Sequence, residues 1–331
     1  MKAILESFIE EYRRFKGIAI LGLISALILV VVPIFIPLEK IYFAFFIFLM
    51  FIYIALTVSW NIVSGWAGQF SLGHAVFFGL GGYVAAIGLR DRVFGFFDLR
   101  AFLLSAVIAM LVAIAVGYPL LGRLRGFYFT LGTLAVSEAF RLLFINGGEF
   151  TGGAWGIKLQ TTYDVSFYVY YYAAFAIMVM TVLLAIMLRG SKVGMNFVAL
   201  RDDEMAAESI GINTLNYKVL AFSISAVTPA LCGCLFAYYL RYVEPNIVFS
   251  PTWSLYPALM GLLGGIGSLI GAIVGSAVVG STLQLVSLYF PAIHPLISGV
   301  LLVLVMVLLP EGVVNRLAKL LRGPPKYFKK A

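Results

Sequence analysis

Apolar residues run along this 331-residue chain in long unbroken blocks rather than in alternation. Positions 17–38 and 167–188 each hold 22 residues without a charge. About 20 apolar helical residues cross the hydrocarbon core of a bilayer. In lipid every backbone polar group needs an internal partner, which makes such blocks helices, and the ten-residue alternation of a membrane barrel is not visible. Candidate spans fall at 17–38, 41–64, 66–89, 101–122, 127–145, 167–188, 219–240, 254–271, 274–290 and 295–309. The span at 66–89 is glycine-rich and carries Gln69 and His74, and that at 127–145 carries Glu138 and Arg141. The stretch 254–290 is too long for one crossing without extreme tilt. It is either a hairpin of two short helices or one span with a re-entrant piece. The expected fold is an all-α polytopic membrane protein with about ten helices, eight or nine remaining open.

The polar positions divide the chain accordingly. The longest polar stretches are 146–166 and 189–218, too short for a soluble domain. We expect an N-terminal segment at 1–16, one membrane domain at 17–309 and a basic tail at 310–331. Within that tail 313–321 is either an amphipathic surface helix or simply solvated.

Charge sets the orientation. Lys and Arg concentrate in short cytoplasmic loops. With ten spans, both termini share one face with Arg123, Arg125, Arg189, Lys192, Arg201 and Lys218. That face carries sixteen basic residues against six on the other, where Lys40, Arg90, Arg92, Arg100, Lys158 and Arg241 lie. Both termini are therefore expected to be cytoplasmic, in an inner or plasma membrane, although the three arginines of 90–100 run against the rule.

Composition adds exclusions. The chain is 62% hydrophobic and 11% charged, too few charges to coat a soluble surface. The formal charge of +8 follows membrane topology, so no nucleic-acid partner is expected. Glu6, Glu10 and Glu11 interrupt the lead-in of the first block, which is expected to stay as a span rather than act as a signal peptide. Cys232 and Cys234 sit in an apolar run and read as packing residues. The sequence has no phosphate-binding Gly-x-x-x-x-Gly-Lys-Ser/Thr loop and no metal-ligand spacing. No cofactor or metal is expected, and the chain itself should do no chemistry. Energy must come from a partner or an ion gradient.

The loop 189–218 carries the most chemistry. Residues 198–212 read as one short helix, with Asp202, Asp203 and Glu204 at its start, Asp202 as a possible cap and Gly211 at its stop. Ala206, Ala207 and Ile210 would form a small apolar patch beside charges, suited to docking in another protein's groove. A solvated connector is the alternative. The run Glu204-Met205-Ala206-Ala207-Glu208 with Gly211 resembles the coupling loop of ABC importer permeases. More narrowly, Arg201-Asp202-Asp203-Glu204 through Gly211-Ile212 is similar to the branched-chain amino-acid permease family, and to its M-type subunit. The segments 65–75, 128–135, 151–156, 263–272 and Pro310-Glu311-Gly312 resemble that family in the same order. Thr133 and the acidic N-terminal extension depart from it. The resemblance implies a second homologous permease, two cytoplasmic ABC ATPases and an extracytoplasmic binding protein as partners. It implies coupling to the ATPase through Arg201, Asp202, Asp203, Glu204, Ala206, Ala207, Glu208 and Gly211. It implies leucine, isoleucine and valine as substrates, with urea, short amides or other amino acids as alternatives. An ion-coupled secondary carrier and a passive channel are the rivals of another class.

Other residues read locally. Gly68, Gln69, Ser71, Gly73 and His74 are the candidate stretch of the translocation path, His74 being alternatively a hydrogen-bonded packing residue. Gly267, Gly271 and Gly275 recur every four residues, a ridge for close helix packing; a broken helix lining a path is the alternative. Glu138 and Arg141 are three apart and can pair, facing the bundle interior or a partner subunit. Asn61 and Gln284 read as making interhelical hydrogen bonds, contact with solute being the alternative.

Overall fold

The computed structural model describes residues 41–160 and 165–290, with positions 296, 299, 300, 303 and 304 beyond. The candidate span 17–38, the N-terminal segment, the tail and most of 295–309 lie outside the described residues. The elements in chain order are α1 (Ile41–Trp60), a π-helix (Asn61–Trp66), α2 (His74–Arg90), α3 (Leu99–Arg123), α4 (Phe127–Ile145) and the one-turn α5 (Gly148–Thr151). A two-residue strand β1 (Ile157–Lys158), α6 (Phe167–Arg189), α7 (Lys192–Asp202), α8 (Glu204–Ser209) and α9 (Thr214–Leu240) follow. The described core ends with β2 (Tyr242–Val243), α10 (Pro245–Val248), α11 (Thr252–Gly264) and α12 (Leu269–Tyr289). Among the described residues seven helices are long and apolar enough to cross a membrane, and α2 is a shorter apolar helix. The protein is an all-α polytopic membrane protein.

Its long helices are apolar around their whole circumference, so packing rather than an amphipathic stripe decides which are central. α9 is buried along most of its length, and α2, α3 and α1 surround it. Small residues permit this. The buried positions of α3 are Ala101, Ser105, Ala109, Ala113, Gly117 and Leu121, one every four residues, a seam that lets helix backbones approach. At Gly81 of α2 a Cβ would lie 1.9 Å from the Ala230 carbonyl, and at Gly233 of α9 another would lie 1.9 Å from that of Phe78. The outer flank of α3 exposes Leu103, Val107, Leu111 and Ile114, as a lipid-facing helix does. Cys232 and Cys234 are unbonded thiols buried in α9.

Two expectations change. The span read at 66–89 starts as a helix only at His74, because 67–73 is irregular. The stretch 254–290 is a hairpin, α11 and α12, turning at Gly265 and Gly267, whose φ values of 112° and 81° only glycine adopts readily. Gly267 therefore lies in the turn and not on the packing ridge. Gly271 and Gly275 are in α12, where a Cβ would meet the Gly264 carbonyl at 2.4 Å and the Met260 carbonyl at 2.0 Å.

The two ends of the bundle differ. At one, β1 pairs antiparallel with β2, Ile157 opposite Val243 and Lys158 opposite Tyr242, and Arg90 donates to the carbonyls of Glu149 and Phe150 at 2.9 and 2.8 Å. At the other lie the π-helix, the 265–268 turn and the helices α7 and α8.

Candidate functional site

The irregular segment 67–73 joins the π-helix to α2, and a backbone group buried there without a partner would be costly. Side chains from α1, the π-helix, α4 and α11 supply partners. Ser64 Oγ donates to the Gln69 carbonyl at 3.2 Å and accepts from the Ser71 amide at 3.1 Å. Trp60 Nε1 donates to the Ser71 carbonyl at 2.8 Å, and Thr130 Oγ1 donates to that of Phe70 at 2.8 Å. Thr133 Oγ1 accepts from the Leu72 amide at 3.0 Å, and Ser254 Oγ accepts from the Ala75 amide at 2.8 Å. Gly68, with φ 70°, makes the turn.

The second break, at 265–268, leans on the first. Asn61 in the π-helix accepts from the Gly267 amide at 2.8 Å through Oδ1 and donates to the Ser268 carbonyl at 3.3 Å through Nδ2. The Gly267 carbonyl accepts from Trp66 Nε1 at 3.0 Å and from Arg189 Nη1 at 2.8 Å. The Arg189 guanidinium also lies 5.8 Å from the Trp66 ring centroid, within cation–π reach. Arg201 Nη1 donates to the Gly65 carbonyl at 3.1 Å. Of the stretch proposed from sequence, Gly68 lies against the loop residue Arg201, Gln69 and Ser71 bond to Ser64 and Trp60, and Gly73 lies against Thr133. His74 stands at the start of α2, fully buried, its ring edge-on to Phe77 with centroids 6.4 Å apart. Neither of its nitrogens finds a partner among the described residues. A cavity of about 10 Å³ with an almost wholly apolar lining lies among Gly73, Val76, Phe77, Thr133 and Phe222.

The loop is not the single helix expected. α7 ends at Asp202, and α8 is a separate helix. The cap is Asp203 rather than Asp202: its side chain, on extended backbone, accepts from the Ala206 amide at 3.0 Å. Asp202 instead holds the Arg201 guanidinium, at 3.0 Å to Nε and 2.8 Å to Nη2. Ala207 is buried against its own bundle and leaves the expected patch. Glu204 is half-buried and accepts from the buried Lys218 at 2.6 Å, and the exposed Glu208 accepts from Thr214 at 2.7 Å. What α8 turns outward is Met205, Ala206, Ser209 and the following Ile210, with Met205 80% and Ile210 74% exposed. Gly211, at φ 86°, closes the helix.

Glu138 and Arg141 do pair: Arg141 Nε lies 3.0 Å from both Glu138 carboxylate oxygens. Arg141 also donates to Asn246 Oδ1 in α10, and Asn246 donates to Glu244 at 3.0 Å. The pair is half-exposed on the flank of this chain, so the bundle-interior reading falls.

Sequence reasoning missed Arg189, Thr130 and Ser254 as members of the junction. Thr130, Thr133 and Ser137, on one face of an apolar helix, were the available signal; Arg189 looked like an ordinary topology charge. Asn61 does bond to a neighbouring segment, as read.

A family profile described as "Branched-chain amino acid transport system / permease component" matches residues 42–309. The permease protein LivM of the high-affinity branched-chain amino acid transport system of Salmonella typhimurium is 29% identical over 292 residues, 80% of this chain and 68% of that protein. The LivH permease of the same system is 33% identical over 134 residues, 40% of this chain and 43% of that protein. LsrC, an autoinducer 2 import system permease of Yersinia enterocolitica, is 30% identical over 186 residues, 52% of this chain and 50% of its own. No solved structure matches.

Proposed function

We propose, from the premise that this chain belongs to the branched-chain amino acid transport permease family, that it works as an M-type subunit beside a second related permease and is driven by cytoplasmic ABC ATPases. Membership makes it a multi-pass transport component of an ABC importer. The finer reading rests on one observation: α8 turns Met205, Ala206 and Ile210, an apolar group, away from the bundle at the end where the 67–73 segment and the 265–268 turn lie. Such a face is a docking element for a partner's groove. In this reading ATP binding draws the ATPases together, moves the α7–α8 pair and switches the cavity between its two openings. The α7–α8 end is cytoplasmic, as are both termini, and a binding protein delivers solute at the ribbon end. Leucine, isoleucine and valine are the proposed solutes, on the strength of the LivM and LivH relatives. The likeness to LsrC makes a different solute on the same architecture the second reading.

The test is purification of the full chain from its native membrane in mild detergent, with identification of every co-purifying chain. An ATPase and a second permease in fixed stoichiometry are expected, and Met205→Asp should strip away the ATPase while keeping the second permease. A chain that emerges alone and moves solute in liposomes under an ion gradient would make it a secondary carrier.

A further inference from the structure

Arg201 was grouped with residues that touch a partner, yet the structure turns it the other way. It sits in the last turn of α7, and its side chain, 36% exposed, lies across the end of the bundle with Nη1 donating to the Gly65 carbonyl at 3.1 Å. Gly65 is near the C-terminal end of the π-helix, where carbonyls lose their intrahelical donors. Both breaks are shaped around this one side chain. A Cβ at Gly68 would lie 2.9 Å from Arg201 Cγ and 3.2 Å from its Cα, and a Cβ at Gly267 would lie 2.9 Å from Nη1. The glycines Gly68 and Gly267, far apart in sequence, therefore admit the same arginine. Its other edge is fixed by Asp202, through Nε and Nη2. The guanidinium is a rigid planar fork with donors on several sides, so it can hold Asp202 and the Gly65 carbonyl at once.

We propose that Arg201 is the positioning residue that ties the α7–α8 pair to the two helix breaks, so that displacing the loop helices displaces the 65–68 and 265–268 segments together. This rests on the importer reading for its purpose, but the tie itself stands on the contacts of this chain. It acts inward, through Gly65, Gly68 and Gly267, and not by touching an ATPase. Arg189 donates to the Gly267 carbonyl from α6 and holds the 265–268 turn from a second helix. A lysine, with one compact ammonium group, cannot make both of Arg201's contacts.

The test uses Arg201→Gln and Arg201→Lys in the full chain, with two readouts. The first is amide hydrogen exchange of the chain alone in detergent. Both variants should exchange faster at 65–71 and 265–268 while 148–160 keeps its protection. The second is solute moved per ATP hydrolysed by the reconstituted complex. It should fall about tenfold, inside the usual range of site-to-site coupling, with the ATPase still co-purifying. Unchanged exchange in the two segments overturns the tie. Faster exchange with an unchanged transport-to-ATP ratio overturns its role in coupling, and loss of the ATPase from the variants alone would show that Arg201 acts outward. A wild-type chain that recruits no ATPase sinks the importer reading instead, and the exchange readout then decides the tie by itself.

Discussion

The two ends of the bundle are held by different kinds of bond. At the ribbon end there is a backbone framework, the β1–β2 pairing, the Leu159 amide on the Arg241 carbonyl at 2.9 Å, and the Gly156 amide on the Gly152 carbonyl at 3.1 Å, to which Arg90 and Tyr242 add side-chain bonds to carbonyls. Glycines make it tight; a Cβ at Gly152 would lie 2.1 Å from the Gly156 carbonyl, and one at Gly156 would lie 2.1 Å from that of Val243. At the loop end the partners are long side chains laid on carbonyls: Arg201 on Gly65, and Arg189 and Trp66 on Gly267. Backbone pairing fixes both chains at once, whereas a side chain can rotate away and leave both elements intact. The ribbon end is built as a fixed lid and the loop end as a set of releasable ties. That is the distribution a permease needs if force enters at one end only.

The sharpest way to break this contrast is to add one methyl group at each end. Gly156, at φ 68° and ψ −163°, occupies a backbone region that is nearly glycine-only. Gly156→Ala adds roughly 1–3 kcal/mol of backbone strain to a clash with a carbonyl that cannot move aside. Gly267→Ala carries the strain of φ 81° but meets mainly the end of the flexible Arg201 side chain. We expect Gly156→Ala to lower the thermal midpoint and membrane yield strongly. Gly267→Ala should lower them less while loosening 65–71 in hydrogen exchange. Equal losses would mean that the loop end is as rigid as the ribbon.

Much of the fold was legible because apolar block length is a direct consequence of bilayer thickness. The helix 127–145 begins and ends where the sequence placed it. The breaks were less legible. Glycine in an apolar run signals both close packing and interruption, and Gly267, spaced four residues before Gly271, looked like ridge until its positive φ placed it in a turn. The donors that fill the first break come from Thr130 and Ser254, far along the chain, and no local pattern announces them. In the loop, three consecutive acidic residues fit one capping motif equally well by composition. Only the geometry assigns the cap to Asp203 and leaves Asp202 to Arg201. Ala207 was misplaced for the same reason: on so short a helix, spacing groups 206 with 207 and 210, but burial separates them.

A smaller effect sharpens the loop side of the comparison. Lys218 is almost wholly buried, its side chain 4% exposed, whereas that of its partner Glu204 is 29% exposed. Removing one member of such a pair costs most when the member left behind is the buried one. Glu204→Gln should therefore destabilise the chain by about 2 kcal/mol, the scale of a hydrogen bond to a charged group. Lys218→Met should cost less, since the remaining carboxylate reaches water. Denaturant or thermal unfolding of the purified chain measures both. The reverse order would mean that α8 is held by its buried Ala207 and not by the charge. Neither change should alter protection of the ribbon.

The smallest effect lies at the ribbon end and is read with acid. Asp98 caps α3, accepting from the Arg100 amide at 2.9 Å, and also holds the Arg100 guanidinium. The Arg100 side chain, then its amide, hold the Asp98 carboxyl down at about 2 against an ordinary value of 3.8. A depressed folded value means that the ionised cap favours the folded state above the ordinary value, and that this support is lost as pH falls from about 4 to about 2. Hydrogen exchange of 95–101 should rise through that window in the wild type. In Asp98→Asn, which keeps a capping oxygen without a titrating charge, this acid-dependent rise should vanish. A rise of equal size in the variant would assign the acid sensitivity to the neighbouring Arg90–Asp91 pair, joined at 2.7 Å. The lid would then be fastened at the end of α2 and not at the start of α3.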